Sequence, residues 1–238
     1  MLLQSEAELV SDSYGRFKGM SWFPAIYKKD IIVIGQGGIG SWVSLLLARA
    51  GASLHTFDMD SFEKHNMSGQ LVRNFDVGKN KATAISDVIK GFCDEGTEIT
   101  TYTEKYTLES ISNNIVVMGV DNMEARKIGF QNWVNYLEEN PEERENSIFI
   151  DGRLSATVLQ IFCIKGNDLS SITKYKKEYL FDDSEVTEDE CTMKQTSHLA
   201  AMIAGHIVGF LTNFLAPENY SVPFFYEFIQ PVNFTTNE

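Results

Sequence analysis

Residues 30–41 read Asp30-Ile31-Ile32-Val33-Ile34-Gly35-Gln36-Gly37-Gly38-Ile39-Gly40-Ser41, and the apolar run Trp42-Val43-Ser44-Leu45-Leu46-Leu47-Ala48 follows directly. Four consecutive branched aliphatic residues predict a strand buried on both faces, as in a parallel sheet. The glycines then form a tight turn that opens a helix, where unpaired backbone N–H groups and the helix dipole can cradle phosphate. Asp58 ends a second predicted strand, residues 53–58, and lies 18 residues beyond Gly40, a position suited to a ribose hydroxyl.

Outward from this unit the same grammar repeats. Residues 80–92 predict a helix, 98–103 a strand, 114–120 a strand ending at Asp121, 123–138 a helix and 147–151 a fifth strand. Strands alternating with helices predict a Rossmann-like, doubly wound α/β sheet whose first half is parallel. From Leu154 the pattern changes, because residues 154–164 predict a long strand with no helix before it. An antiparallel C-terminal extension of the sheet is expected, with residues 1–238 forming a single domain. Residues 166–190 carry Asp168, Glu178, Asp182, Asp183, Glu185, Glu188, Asp189 and Glu190 among few apolar anchors, and are expected to form a flexible acidic crossover loop over the site. The run from Thr196 to Ala216 has no Asp, Glu, Lys or Arg and approaches the ~20 residues a bilayer needs. It also holds His198, His206, Asn213 and two glycines and lacks basic anchors at its C-terminal end, so a buried core helix is expected.

The chain has 238 residues, 43% of them hydrophobic, enough for a sizeable core. Its 20 Lys plus Arg against 33 Asp plus Glu give a net charge of −13, which disfavours nucleic acid and anionic membranes as partners. Anionic ligands need a focused site. The three cysteines, Cys93, Cys163 and Cys191, form no CxxC pair, and the first residues lack the basic start of a signal peptide, so a cytoplasmic location is expected.

The glycine motif alone also satisfies the dinucleotide pattern, which leaves an NAD(P)-dependent oxidoreductase and a non-catalytic nucleotide-binding scaffold as alternatives. The residues after Asp58 favour a polyphosphate. Arg73, Lys79 and Lys81 lie close to the cradle in sequence, and cations there offset phosphate charge that hydride transfer does not present.

The ordered motifs Gly35 to Ser41, then Asp58, Asp60, Asn66 and Gln70, then Asp76-Val77-Gly78 with Lys81-Ala82, then Val120-Asp121-Asn122 resemble the ThiF/MoeB/HesA family, related to the adenylation domains of ubiquitin-activating enzymes. The resemblance covers about residues 30–125. It implies an adenylyltransferase that uses ATP and Mg²⁺ to activate the C-terminal carboxylate of a small ubiquitin-like or sulfur-carrier protein. On that reading Gly35, Gly37, Gly38 and Gly40 cradle the nucleotide and Asp58 binds the ribose, with Asp60 and Gln70 beside it. Asn66, Arg73 and Lys81 contact phosphates, and Asp121 holds Mg²⁺. Where the family has an arginine this chain has Gly69, which makes Arg73 the nearest substitute. Ser13-Tyr14-Gly15-Arg16 is similar to a family segment whose arginine reaches the partner's ATP in a homodimer, so Arg16 joins the nucleotide-binding candidates. Cys191, in Cys191-Thr192-Met193-Lys194, stands where relatives can form a thioester, although the preceding acids Glu188 to Glu190 oppose a thiolate. Cys93 and Cys163 are expected in the core, and His198 and His206 are expected to carry no chemistry.

Overall fold

The computed structural model describes residues 12–155, 157–181, 196–218 and 220–230. Its frame is a seven-stranded sheet. In chain order the strands are β1 (Asp30–Ile34), β2 (Ser53–Phe57), β3 (Ile99–Tyr102), β4 (Ile115–Met118), β5 (Ile148–Leu154), β6 (Val158–Lys165) and β7 (Phe225–Ile229), and their order across the sheet is β3-β2-β1-β4-β5-β6-β7. The first five run parallel, and β6 and β7 are antiparallel additions. The chain crosses from one side of β1 to the other between β3 and β4, so a crevice opens beyond the carboxyl ends of β1 and β4.

The central strands are apolar on both sides because helices cover both faces. Ile31 and Val33 of β1, with Ile115 and Val117 of β4, pack in one cluster with helices α2 (Gly38–Arg49), α3 (Lys81–Phe92) and α6 (Ser197–Leu215). Ile32, Ile34, Val116 and Met118 point the other way, onto Phe130, Trp133 and Leu137 of α4 (Met123–Glu139) and Tyr175 of α5 (Leu169–Glu178). A short first helix, α1 (Phe23–Ile26), joins Tyr14 and Tyr27 in an aromatic group below the sheet's amino edge.

Two expectations change. The boundary between the fifth and sixth strands falls later than expected: β5 runs on to Leu154, a turn closed by Ser155 N donating to Val158 O at 2.9 Å follows, and β6 runs from Val158 to Lys165. The acidic loop expected at 166–190 contains helix α5, capped by Asp168, whose carboxylate accepts from Ser170 N and Ser171 N, and anchored by the fully buried Tyr175. Of the acids behind that expectation only Asp168 and Glu178 are among the described residues, and there an N-cap followed by a buried tyrosine sets the local structure; residues 182–190 lie outside the described residues. Helix α6 is long and apolar enough to cross a membrane by length and composition, yet it buries one face: Leu199, Ile203, Ile207 and Leu211 pack inward, while Met202, Gly205 and Gly209 are exposed. That helix leans on α2 and on β5 and β6.

Candidate active site

The glycines of the first turn have different physical roles. Gly35 has φ +85°, and a Cβ there would meet Val120 Cγ1 at 2.9 Å. Gly40 carries the closest packing, because a Cβ on it would lie 1.7 Å from Gly35 O. These two bring α2 against the sheet. Gly37 instead caps α2 and has open space beside it, the nearest atom to an added Cβ being Gln70 Nε2 at 3.8 Å. Gly37 and Gly38 therefore leave the helix N-terminus approachable by an anion.

A cavity of about 790 Å³ opens over this turn, within the size range of small-molecule sites. Its lining includes Gly35, Gly37, Gly38, Asp58, Asp60, Gln70, Lys81 and Asp121. Asp58 Oδ2 accepts from Gln36 N at 2.6 Å and Oδ1 from Asp60 N at 2.8 Å. Asn80, unnoticed in the sequence, ties the parts together: its Oδ1 accepts from Thr83 N at the start of α3, and its Nδ2 donates to the carbonyls of Asp58 and Asp60. Lys81 therefore enters the pocket beside Asp60, with Nζ to Oδ2 at 3.1 Å. Asp121 follows β4 and is exposed; Asn122 caps α4 by accepting from Ala125 N, so Asp121 is not the cap.

Burial pushes the Asp58 carboxyl above the ordinary carboxylate range, with the N–H bonds from Gln36 and Asp60 and the charge of Lys81 pulling it partly back. A ribose hydroxyl donates best to the ionised form. Adenosine, which has no phosphate to titrate, should lose affinity on acidification at a higher pH than a carboxylate with the ordinary pKa of about 3.9 would allow. In Asp58→Asn the affinity should be lower and should change with pH only where the adenine ring itself protonates; calorimetry across the acid range checks this, and a wild-type profile of the same shape as the variant's would contradict it.

Other sequence candidates lie elsewhere. Asn66 completes the capping box of a short 3₁₀ turn whose N-cap is Glu63, its Oδ1 accepting from Glu63 N at 2.8 Å, and does not line the cavity. Arg73 turns onto Asp76, with Nε to Oδ2 at 2.5 Å, and its guanidinium lies 4.5 Å from the Phe75 ring centre. The fully buried Asp76 carboxylate also receives Lys79 at 3.0 Å, which gives Arg73 a partner inside the loop in place of a position on the cavity wall. The Arg73 hydrogen bond holds the Asp76 carboxyl below its usual range, so this contribution to stability is present above the unfolded pKa and is lost as pH falls through the lowered folded value. Arg73→Ala should cost about 1 kcal/mol, about 2–4 °C in melting temperature, and start acid unfolding at higher pH while leaving ATP affinity nearly unchanged. A large loss of ATP affinity at unchanged stability would restore Arg73 to the phosphates.

Arg16 is exposed and sits two residues from Tyr14, which packs by Gly51 at the opposite edge of the sheet from the cavity. Cys191 and Lys194 lie outside the described residues. Burial raises the thiol of Cys163 to about 12 and also raises that of Cys93. His198 Nε2 is within hydrogen-bond distance of Thr196 Oγ1 and Gln230 Oε1, and the His206 ring lies tilted against Tyr226 with centroids 4.9 Å apart.

The sequence reading missed a buried ionic group on the same cavity. Asp151, fully buried in β5, accepts from Arg126 Nε at 3.0 Å, Arg153 Nε at 2.7 Å and Tyr175 OH at 2.8 Å. Arg126 and Arg153 both line the cavity. The available signal was a charged pair, Asp151 and Arg153, in an otherwise apolar strand at the sheet edge where ligands bind. The apolar wall on the ribose side comes from Phe57, Met59 and Tyr106, and Phe57 stacks on Tyr102 at 4.2 Å.

These features define a nucleotide-binding protein with a Rossmann-like sheet. The chain belongs to the ThiF family, whose model matches residues 18–236. Its fold is similar to that of PaaA, with a TM-score of 0.69 and 16% identity over 96% of this chain and 71% of that one. It is also similar to E. coli MccB solved with ATP (TM-score 0.61, 16% identity, 94% of this chain and 74% of that one). E. coli TcdA, a tRNA N6-threonylcarbamoyladenosine dehydratase, gives a TM-score of 0.63 and 15% identity over 92% of this chain and 98% of that one. No curated protein sequence matches the chain.

The cavity fits a nucleotide on its own geometry. Gly37 leaves the helix N-terminus open, Asp58 offers a half-buried acceptor, and Gln70 Oε1 is a buried oxygen with no hydrogen-bond partner among the described residues. No group of three His, Cys, Asp or Glu that could hold a metal occurs among the described residues. A magnesium ion would be held by Asp121 jointly with phosphate oxygens, as suits an ion that keeps few protein ligands.

Proposed function

We propose that this protein is an adenylyltransferase that joins AMP to a carboxylate. The observation that carries this reading is the convergence of Gly37, Asp58, Lys81 and Asp121 on one cavity at the carboxyl edge of the sheet. Membership of the ThiF family and the likeness to MccB, a protein crystallised with ATP and with MccA, support it.

In the reaction, a carboxylate oxygen attacks the α-phosphorus, the bond from that phosphorus to the bridging oxygen breaks, and pyrophosphate leaves with its electrons. Mg²⁺ neutralises charge on the phosphates when bound. The chain's own residues orient and stabilise: Asp58 accepts from the ribose, the α2 N-terminus faces the phosphates, and Lys81 supplies a positive charge that need not reorganise during the step. Asp121 holds the ion. The acceptor in this reading is the C-terminal glycine of a small ubiquitin-like or sulfur-carrier protein; the Cys191 thiolate would then attack the acyl carbon of the adenylate, forming a thioester as the acyl–phosphate bond breaks and AMP leaves. A homodimer would let Arg16 of one protomer reach the phosphates of its partner, and the reaction belongs to the cytosol, where MgATP is supplied.

The test is carrier-dependent exchange of labelled pyrophosphate into ATP, with candidate carriers ending in Gly-Gly. Exchange that needs both carrier and Mg²⁺ supports the reading. ATP cleavage to AMP that never reverses with pyrophosphate and ignores every carboxylate would contradict it.

A further inference from the structure

The cavity continues past Asp121. Its wall passes over Arg153, Leu154, Ser155 and Val158 of the β5–β6 hairpin and reaches Gln160, Phe181 and Glu227. Neighbouring strands are ~4.8 Å apart. Asp58 closes β2, the glycine turn follows β1 and Arg153 lies on β5, two strands beyond β1 on the side away from Asp58. Arg153 therefore stands roughly 10 Å from the phosphate cradle, on the far side from the ribose.

This guanidinium is held in place. Besides Nε on Asp151, its Nη2 donates to Tyr179 O at 2.8 Å, and its centre lies 4.7 Å from the Phe162 ring centre. Among the described residues Nη1 has no hydrogen-bond partner. Arg126 shares Asp151, so two cations face one carboxylate and leave a net positive charge in a chain of −13. Desolvating two arginines against a single acid is unfavourable unless a further anion completes the set. A polyphosphate tail suits that place poorly, because the far rim carries Glu227, bonded to Gln160 Nε2 at 2.7 Å. A lone carboxylate at the end of a neutral chain matches both the planar fork and the rim.

We propose that Arg153 is the receptor for the carboxylate of the acyl substrate, with Asp151 as its positioning residue. This rests on the adenylylation reading. Arg153 receives the carboxylate beyond Asp121, and one oxygen is thereby aimed back along the cavity toward the α-phosphorus.

The test titrates the protein, saturated with an ATP analogue whose α–β bond cannot be cleaved, with N-acetylglycylglycine and with its C-terminal amide, followed by NMR. The acid should bind about 10- to 100-fold more tightly than the amide, the size of one charge-assisted hydrogen bond. Arg153→Ala should erase that preference, Arg153→Lys should keep part of it, and Asp151→Asn should lower it although the guanidinium remains. The analogue should bind all of them. If Arg153→Ala does not fold, Arg153→Lys carries the test, because it keeps the charge but not the fork. Equal binding of acid and amide by the wild type, or an unchanged preference in Arg153→Lys and Asp151→Asn, overturns the proposal. So does loss of the analogue from an otherwise folded Arg153 variant, which would make this a phosphate contact. Failure of the wild type to bind the analogue at all overturns the adenylylation reading as well, and is a separate result.

Discussion

Asp121→Ala is expected to abolish ATP–pyrophosphate exchange, with a loss of about 10³-fold or more, and to leave the melting temperature unchanged. Removing a single electrostatic stabiliser of a developing charge costs about 10²–10³-fold, and Asp121 is assigned the ion that neutralises several oxygens at once. The structure separates this role from a structural one. Helix α4 is capped by Asn122, which accepts from Ala125 N at 2.8 Å, and the Asp121 side chain is exposed. Asn122→Ala should therefore cost about 1 kcal/mol in stability, the usual value of a lost cap, where Asp121→Ala costs none. Exchange assays and thermal melts on both variants check this. Normal exchange by Asp121→Ala would remove it from the chemistry.

Gly40→Ala should destabilise the protein by about 3 kcal/mol or more, or about 6–12 °C in melting temperature, since its methyl group would sit 1.7 Å from Gly35 O. Helix α2 would have to move away from β1, and the nucleotide cradle would move with it. Gly37→Ala is the comparison. A methyl group there meets nothing closer than 3.8 Å, so the fold should hold while ATP affinity falls through obstruction of the helix N-terminus. Melting curves and ATP titrations on the pair would show two different losses. Equal stability of the two variants would contradict the assignment of Gly40 to packing and Gly37 to the ligand.

The parallel half of the sheet was legible because its signal is local. Residues 30–34 form an aliphatic strand next to a glycine turn, and Asp58 and Asp121 each follow a strand end, where the crevice must open. What the sequence hid depends on contacts made at a distance. Arg73 is close to the cradle in sequence, but Asp76, three residues on, is fully buried and takes its charge. Arg126 and Arg153 were overlooked for the converse reason: they lie 27 residues apart, and only the pairing of β4 with β5 brings Asp151 beside Met118 and both arginines to the cavity. Helix α5 was concealed because it was read together with the acids that follow it in sequence, Asp182 to Glu190, while Tyr175, its buried anchor, contributes a single residue to the average over that stretch. The reversal between the fifth and sixth strands was placed at residues 152–153 in place of 155–157 because Gly152, inside β5, is the nearest breaker, while Ser155, Ala156 and Thr157 include neither Pro nor Gly.

A cavity built for a nucleoside polyphosphate should distinguish MgATP from NAD in isothermal titration of the protein. MgATP binding should weaken in Lys81→Ala and Asp58→Asn, and NAD should bind more weakly than MgATP to the wild type. NAD binding tighter than MgATP, or no heat with ATP in the presence of Mg²⁺, would contradict it.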